Sequence, residues 1–239
     1  MGRQILITND DGIDADGIRR LAYAAGKFGE VYVVAPHDQR SAASHSITLR
    51  KAFEIHPFDM GIPGVHGFSC TGTPADCIRV GKLNVMPKFP DVVLTGINYG
   101  YNVAADIQYS ATLGAAFEAE FQGIPAIAFS EHFGDEHEVT DRYLVEILGE
   151  LIDKEYVPGQ VWNVNFPGCS LADCKGILWD RKVSRMSFFD DRYKVEEQLP
   201  DGGMLVSVDG VYNPKKDEGT DYGAILSNYV SVGIVRNIS

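Results

Sequence analysis

The chain has 239 residues, 45% of them apolar and 23% charged, the proportions of a globular protein able to bury a substantial core. Its formal net charge of −12 disfavours nucleic acid polymers and anionic membrane surfaces as partners, because both are gripped through clustered Lys and Arg. No run approaches the roughly 18 apolar residues of a membrane span, and the N-terminus turns acidic without the uncharged core of a secretory signal. A cytoplasmic location is expected. Cys70, Cys77, Cys169 and Cys174 lack the short paired spacing of a zinc site and are expected to be reduced thiols.

In chain order, the apolar run 4–8 predicts a buried strand that stops abruptly on Asn9, Asp10, Asp11 and Gly12. Residues 16–28 space Ile18, Leu21, Ala22 and Ala25 at helical period until Gly29 ends the run. VYVVAP at 31–36 completes a βαβ unit, and DVVLTGIN at 91–98 is the next clear strand. A helix over 111–122, a strand over 125–130, an amphipathic helix over 139–153 and a strand over 161–167 follow. This alternation predicts an α/β fold, a mostly parallel sheet with helices on both faces. Residues 1–170 form the core and 171–239 a C-terminal extension of hairpins or an arm; MLVSVDG at 204–210 alternates, and a strand returns near 227–235. Residues 51–70 and 168–220 read as additions to the core sheet.

Loops that leave a parallel sheet at the carboxyl ends of its strands share one edge, where ligands bind. Asp10 and Asp11, the polar loop PHDQRSAASHS and INYGYN all leave from that edge. Adjacent carboxylates repel unless a hard cation or a shared proton compensates. Asp10, Asp11, Ser41 and Asn98 supply carboxylate, hydroxyl and amide oxygens suited to Mg²⁺, Mn²⁺ or Ca²⁺. The plainer alternative makes residues 9–12 an ordinary strand-to-helix turn with a capping Asp. Ser41, Ala42, Ala43 and Ser44, with Ser110, Ala111 and Thr112 at the start of a helix, are suited to a phosphate; for Ser110 the alternative is a simple helix cap.

The ordered strings TNDDG, VAP followed by RSAASHSIT, GTPADC, DVVLTGIN, YSATLGAA and GTDYGAI followed by YVSV span nearly the whole chain. Together they resemble the signature of the SurE (survival protein E) family. The resemblance implies a Rossmann-like core with a C-terminal arm exchanged between subunits, in a homodimer or homotetramer. It implies a metal-dependent phosphatase acting on nucleoside 5'- and 3'-monophosphates, in some members also on short polyphosphate. By motif, the metal ligands fall on Asp10, Asp11, Ser41 and Asn98, and a single divalent cation is implied. Asn102 and the Ser110–Thr112 turn are implicated at the phosphate, and Asp76 of GTPADC matches a family residue for which helix capping is an equal reading.

This chain departs from the family pattern at three places. Ala42 follows Ser41 where Gly is usual, Ala111 stands where SGT is usual, and NYGYN replaces the usual NAGPN, adding Tyr99 and Tyr101.

The chemistry expected is hydrolysis of a phosphate monoester by a metal-activated water, with Asp10 or Asp11 also able to accept a proton. His45 is a candidate general acid, set against a structural His. Tyr99, Tyr101 and Tyr109 can stack on a base or pack in the core. His132 and His137 lie in a loop expected to be solvated, as are Arg181, Lys182 and Arg185 unless the tail folds over the site. A noncatalytic nucleotide or metal sensor, and a phosphatase for another ester or polyphosphate, are the competing readings. The first loop is not GxGxxG, against a dinucleotide-dependent oxidoreductase; no DxDx[TV] string is present, against an aspartyl-phosphate enzyme.

Overall fold

The N-terminal apolar run becomes β1 (Gln4–Thr8), buried along its whole length. In the computed structural model, which describes residues 2–215 and 217–237, its side chains alternate between two cores: Ile5 and Ile7 enter one, Leu6 the other. A strand buried on both faces needs helices on both. On the Ile5 side lie α1 (Asp16–Ala25) and α4 (Glu138–Leu151), contributing Ile18, Leu21, Ile147 and Leu148. On the Leu6 side lie α2 (Pro74–Val80) and α3 (Ala111–Phe121), contributing Ile78, Leu113 and Ala116.

The remaining sheet strands are β2 (Glu30–Pro36), β3 (Ile55–Phe58), β4 (Val65–Cys70), β5 (Val92–Tyr99), β6 (Ala126–Glu131), β7 (Gln160–Phe166) and β8 (Ile177–Arg181). Beyond them come the small strands β9 (Phe189–Asp190), β10 (Tyr193–Gln198), β11 (Met204–Val208) and β12 (Val211–Tyr212), then α5 (Asp221–Ile225) and β13 (Val230–Arg236). The main sheet has nine strands in the order β3-β4-β2-β1-β5-β6-β7-β13-β8. β4 through β7 in that order are mutually parallel, whereas β3 runs against β4 and β13 against β7.

The end of the first helix differs from the sequence reading, whereas the sheet additions and the returning strand agree with it. α1 ends at Ala25 and not near residue 28, because Gly26 caps it and the chain is already turning to bring the Glu30 N–H to the Arg3 carbonyl at 2.8 Å. Residues 51–70 contribute β3 and β4 to the main sheet itself, a short pair whose Pro57 sits on the edge strand, where a missing N–H is tolerated. Within the extension, β10 and β11 pair, among the described residues, only with each other and are exposed throughout, while β13 returns to the main sheet beside β7.

One buried carboxylate fastens the extension to the core. Asp221 Oδ1 accepts from the Ser184 and Tyr222 N–H groups at 2.9 and 2.7 Å, and its Oδ2 from the Ala104 N–H at 3.1 Å. Burial pushes this carboxyl up, and those amides oppose the push. Asp221→Ala leaves the Ser184 and Ala104 amides without their acceptor, so urea denaturation is expected to show a loss of about 2–3 kcal/mol; an unchanged midpoint would exclude Asp221 as the fastening point.

The loop after β2 is conformationally demanding: Ala42 and Ser44 have φ of 57° and 52°, a region that costs an L-residue with a Cβ roughly 1–2 kcal/mol. Ala42→Gly is therefore expected to raise Tm by a few degrees, while Ala43→Gly, at a position without positive φ, lowers it. Equal shifts in the same direction would refute the strain.

Candidate functional site

β1 is the point at which the sheet changes direction, since the chain moves from it to β2 and β4 on one side and to β5, β6 and β7 on the other. The crevice at the carboxyl ends of β1 and β5 is where such sheets bind ligands. Three loops are stitched together there. The Ile13 N–H donates to the Pro36 carbonyl at 2.8 Å, the Arg40 N–H to the Asp10 carbonyl at 2.6 Å, and the Tyr99 N–H to Asp11 Oδ2 at 3.0 Å.

Asp10 is 4% exposed. Its Oδ1 accepts from the Thr112 hydroxyl at 2.5 Å. Burial, with a smaller contribution from neighbouring Asp11, pushes its carboxyl up to about 7 against the pull of Thr112. Asp11 is raised as well, first by burial and also by Glu131; the Tyr99 N–H and Gln39 side chain work the other way. Asn9 holds the turn by donating Nδ2 to the Gly12 carbonyl at 2.8 Å, and its buried Oδ1 lacks a donor among the described residues. The two carboxylates and the unmet amide oxygen come from three consecutive residues and are all oxygen donors, the donor chemistry that a hard divalent cation requires. Among the described residues no group of three or more His, Cys, Asp and Glu is placed to hold a metal, so further ligands for a cation here would be neutral oxygens.

Ser41 and Asn98 border this pair. Ser41 Oγ accepts from Gln39 Nε2 at 2.9 Å, and Gln39 also reaches Asp11. Asn98 donates Nδ2 to the Gly100 carbonyl at 2.8 Å, leaving Oδ1 as the end able to serve a cation.

The other predicted residues are placed as follows. Ser110 caps α3, its Oγ accepting from the Leu113 N–H at 3.0 Å, so its hydroxyl is engaged. The amides of Ala111 and Thr112 follow at the first turn, where a helix offers N–H groups without internal acceptors. Ser44 donates Oγ to the Gln108 carbonyl at 2.8 Å and its N–H to the Tyr109 carbonyl at 3.1 Å, tying its loop to the 3-10 turn Ala104–Gln108. Asn102 is buried in a separate knot. Its N–H donates to Asn165 Oδ1 at 2.8 Å, its Nδ2 to Ser130 Oγ at 2.8 Å, and its carbonyl accepts from Asn163 and Asn165.

His45 lies 2.8 Å from Glu118 on α3, which occupies one ring nitrogen. Asp76 closes a capping box with Thr73 and also accepts from the Thr48 N–H at 3.1 Å. The expectation of a solvated histidine loop needs revision: His137 approaches Glu131 at 3.2 Å and the His132 ring packs 5.7 Å from that of Tyr101. Arg181, Lys182 and Arg185 line, with Arg236, a different cavity of about 780 Å³.

Sequence reasoning passed over Gln39, Glu131 and Arg20. Arg20 of α1 grips Glu131 with two bonds of 2.7 and 3.2 Å and Asp141 at 2.9 Å. Glu131 ends β6, and a charge closing the apolar run AIAFSE was the available signal. Its partner lies 111 residues away, which no local pattern reveals.

The family model described as "Survival protein SurE" matches residues 5–188. A protein of Clostridium botulinum (strain ATCC 19397 / Type A) named 5'-nucleotidase SurE is 36% identical over 234 residues, covering 95% of this chain and 90% of its own. One of the same name from Flavobacterium psychrophilum is 35% identical over 232 residues, covering 95% and 89%. The crystal structure of the SurE protein from Aquifex aeolicus superposes with a TM-score of 0.82 at 33% identity, covering 99% of this chain and 94% of that one. Matched by its family model and by relatives along nearly its whole length, the chain belongs to the SurE family.

Proposed function

We propose that this protein is a metal-dependent 5'-nucleotidase that hydrolyses nucleoside 5'-monophosphates, with 3'-monophosphates as a secondary substrate. The observation that carries this reading is the adjacent pair of a buried Asp10 and a half-buried Asp11 at the carboxyl end of β1, beside the N-terminus of α3. The names of the relatives, 5'-nucleotidase SurE, support the same activity.

Asp10, Asp11, Ser41 and Asn98 would hold a divalent cation, Mg²⁺ or Mn²⁺ by preference and Ca²⁺ as a third choice. When bound, such an ion supplies charge neutralisation at the phosphoryl group and a water of lowered pKa. The chain's own residues do the rest. The Ala111 and Thr112 amides and the dipole of α3 receive the phosphate oxygens. Thr112 fixes the orientation of Asp10 by donating to it, and the Tyr99 amide fixes Asp11. Asp11, the more accessible of the two carboxylates, accepts the proton of the attacking water. Arg20 offsets the charge of Glu131, which otherwise adds to the crowding of negative charge around Asp11.

The hairpin β10–β11 supports an assembly of two or four copies. A lone two-stranded hairpin is marginal in water, yet this one shows Tyr193, Val195, Leu205, Val206 and Val208 to solvent. A second copy of the chain is the cover we assign to it.

The deciding measurement is phosphate release from a panel of nucleoside monophosphates with EDTA, Mg²⁺ or Mn²⁺, in wild type and Asp10→Asn, with thermal melts alongside. Expected are turnover abolished by EDTA and a loss of roughly a hundred- to a thousandfold in kcat/KM in Asp10→Asn. Mn²⁺ should raise the Tm of wild type and leave that of Asp10→Asn almost unmoved. Turnover that survives both EDTA and the substitution would overturn the metal-dependent reading.

A further inference from the structure

We propose that the cavity lined by Arg181, Lys182, Arg185 and Arg236 is a second anion site, apart from the Asp10–Asp11 crevice, which takes a small molecule carrying several adjacent phosphates. The cavity has a volume of about 780 Å³, room for a triphosphate chain with a nucleoside attached. It is not part of the crevice, since none of Asp10, Asp11, Ser41, Asn98, Ala111 and Thr112 lines it. The topology separates the two as well. β13 runs against β7 and pairs Arg236 with Gln160, the first residue of β7, so Arg236 stands toward the edge of the sheet opposite the carboxyl ends of β1 and β5.

Charge sets this cavity apart. The chain carries a formal net charge of −12, yet four cations line one cavity and Asp180 is the only carboxylate among the described residues that line it. None of the four is ion-paired with another described residue. Arg181 is oriented by donating Nε to the Trp179 carbonyl at 2.9 Å, which leaves the outer nitrogens of its guanidinium for a ligand. Like charges gathered in this way repel, and an anion that meets them together relieves the repulsion. The backbone keeps them gathered. Arg181 ends β8 level with Gly233 of β13, the Lys182 carbonyl accepts from the Asp221 N–H at 2.8 Å, and the Ser184 N–H donates to Asp221 Oδ1 at 2.9 Å. Arg236 lies three residues beyond Gly233, about 10 Å along an extended strand. A single phosphate cannot meet cations spread over that span, whereas a chain of phosphates can. Arginine supplies three of the four cations, and its planar fork matches phosphate oxygens two at a time.

The test is calorimetric titration in EDTA, where metal-dependent turnover is silent, with inorganic tripolyphosphate, ATP and citrate, the last a trianion without phosphate. Wild type, the double variant Arg185→Gln/Arg236→Gln and Asp10→Asn are titrated, with light scattering and thermal melts alongside. Arg185 and Arg236 are exposed, so both substitutions leave the core untouched. Expected is binding of tripolyphosphate and ATP by wild type and Asp10→Asn alike, weakened roughly tenfold or more in the double variant and weakened by added NaCl. ATP bound more tightly than tripolyphosphate would assign the site to a nucleotide, and equal binding of the two would assign it to the phosphate chain alone; both sustain the proposal. Citrate bound as tightly as tripolyphosphate, binding lost in Asp10→Asn, or no binding by wild type would each overturn it. So would a double variant that binds as wild type does, or one whose only change is a smaller assembly, which would make the cluster a contact between copies of the chain.

Discussion

Asp10 is held almost out of solvent, next in sequence to a second carboxylate, with one hydroxyl as its side-chain donor. Placing negative charge in such a position costs several kcal/mol per ion unless it is compensated, and the displacement of the Asp10 carboxyl to about 7 expresses that cost. The surrounding architecture lessens it piecemeal. Thr112 donates to Asp10, the Tyr99 amide and Gln39 to Asp11, and Arg20 neutralises Glu131 nearby. None of these supplies a full positive charge to the aspartate pair itself. A divalent cation would, and in a protein of net charge −12 it would also create the local positive potential that an anionic phosphate ester needs.

The fold makes this concentration of charge tolerable by locating it at the sheet's change of direction. β1 is packed on both faces by separate cores, so its end cannot drift. α3 lies on the Leu6 face and presents its first turn to the carboxylates, where the helix dipole is favourable to negative charge. Thr112 therefore does two things at once: its side chain restrains Asp10, and its backbone belongs to the first turn of α3, whose N–H groups lack internal acceptors. Displacing α3 would loosen both.

Much of this was legible in the sequence because it is local. The strand that ends on NDDG, the helical spacing of Ile18, Leu21, Ala22 and Ala25, and the Ser that begins α3 all announce themselves within a few residues. The sheet edge formed by β3 and β4 was less legible: a strand of four residues containing Pro57 carries almost no periodic signal. The Arg20–Glu131 clamp was invisible, because nothing in either neighbourhood specifies a partner on another element. The aromatic cluster of Tyr101, Phe188 and Tyr212 was equally hidden. Tyr101, Phe188 and Tyr212 belong to the NYGYN loop and to two segments of the extension, and only the folding of the extension onto the core, fastened through Asp221, brings their rings together.

The two alanines that replace customary glycines also separate once their backbones are compared. Ala111 is the first residue of α3, fully buried and without positive φ. Its methyl group is compatible with the helix and fills space, so the exchange there is conformationally free and can even favour the helix, since Ala propagates it better than Gly. Ala42 instead adopts φ of 57° in the loop that delivers Ser41, and the chain carries strain at that point without an evident packing gain. Strain is retained where surrounding contacts over-determine a conformation, and here the Arg40 and Ser44 amides fasten the loop to Asp10 and to Tyr109 on either side. The same departure from glycine is thus neutral at the first turn of α3 and costly beside Ser41, which places the conformational cost of losing glycine in the loop after β2 rather than at the head of α3.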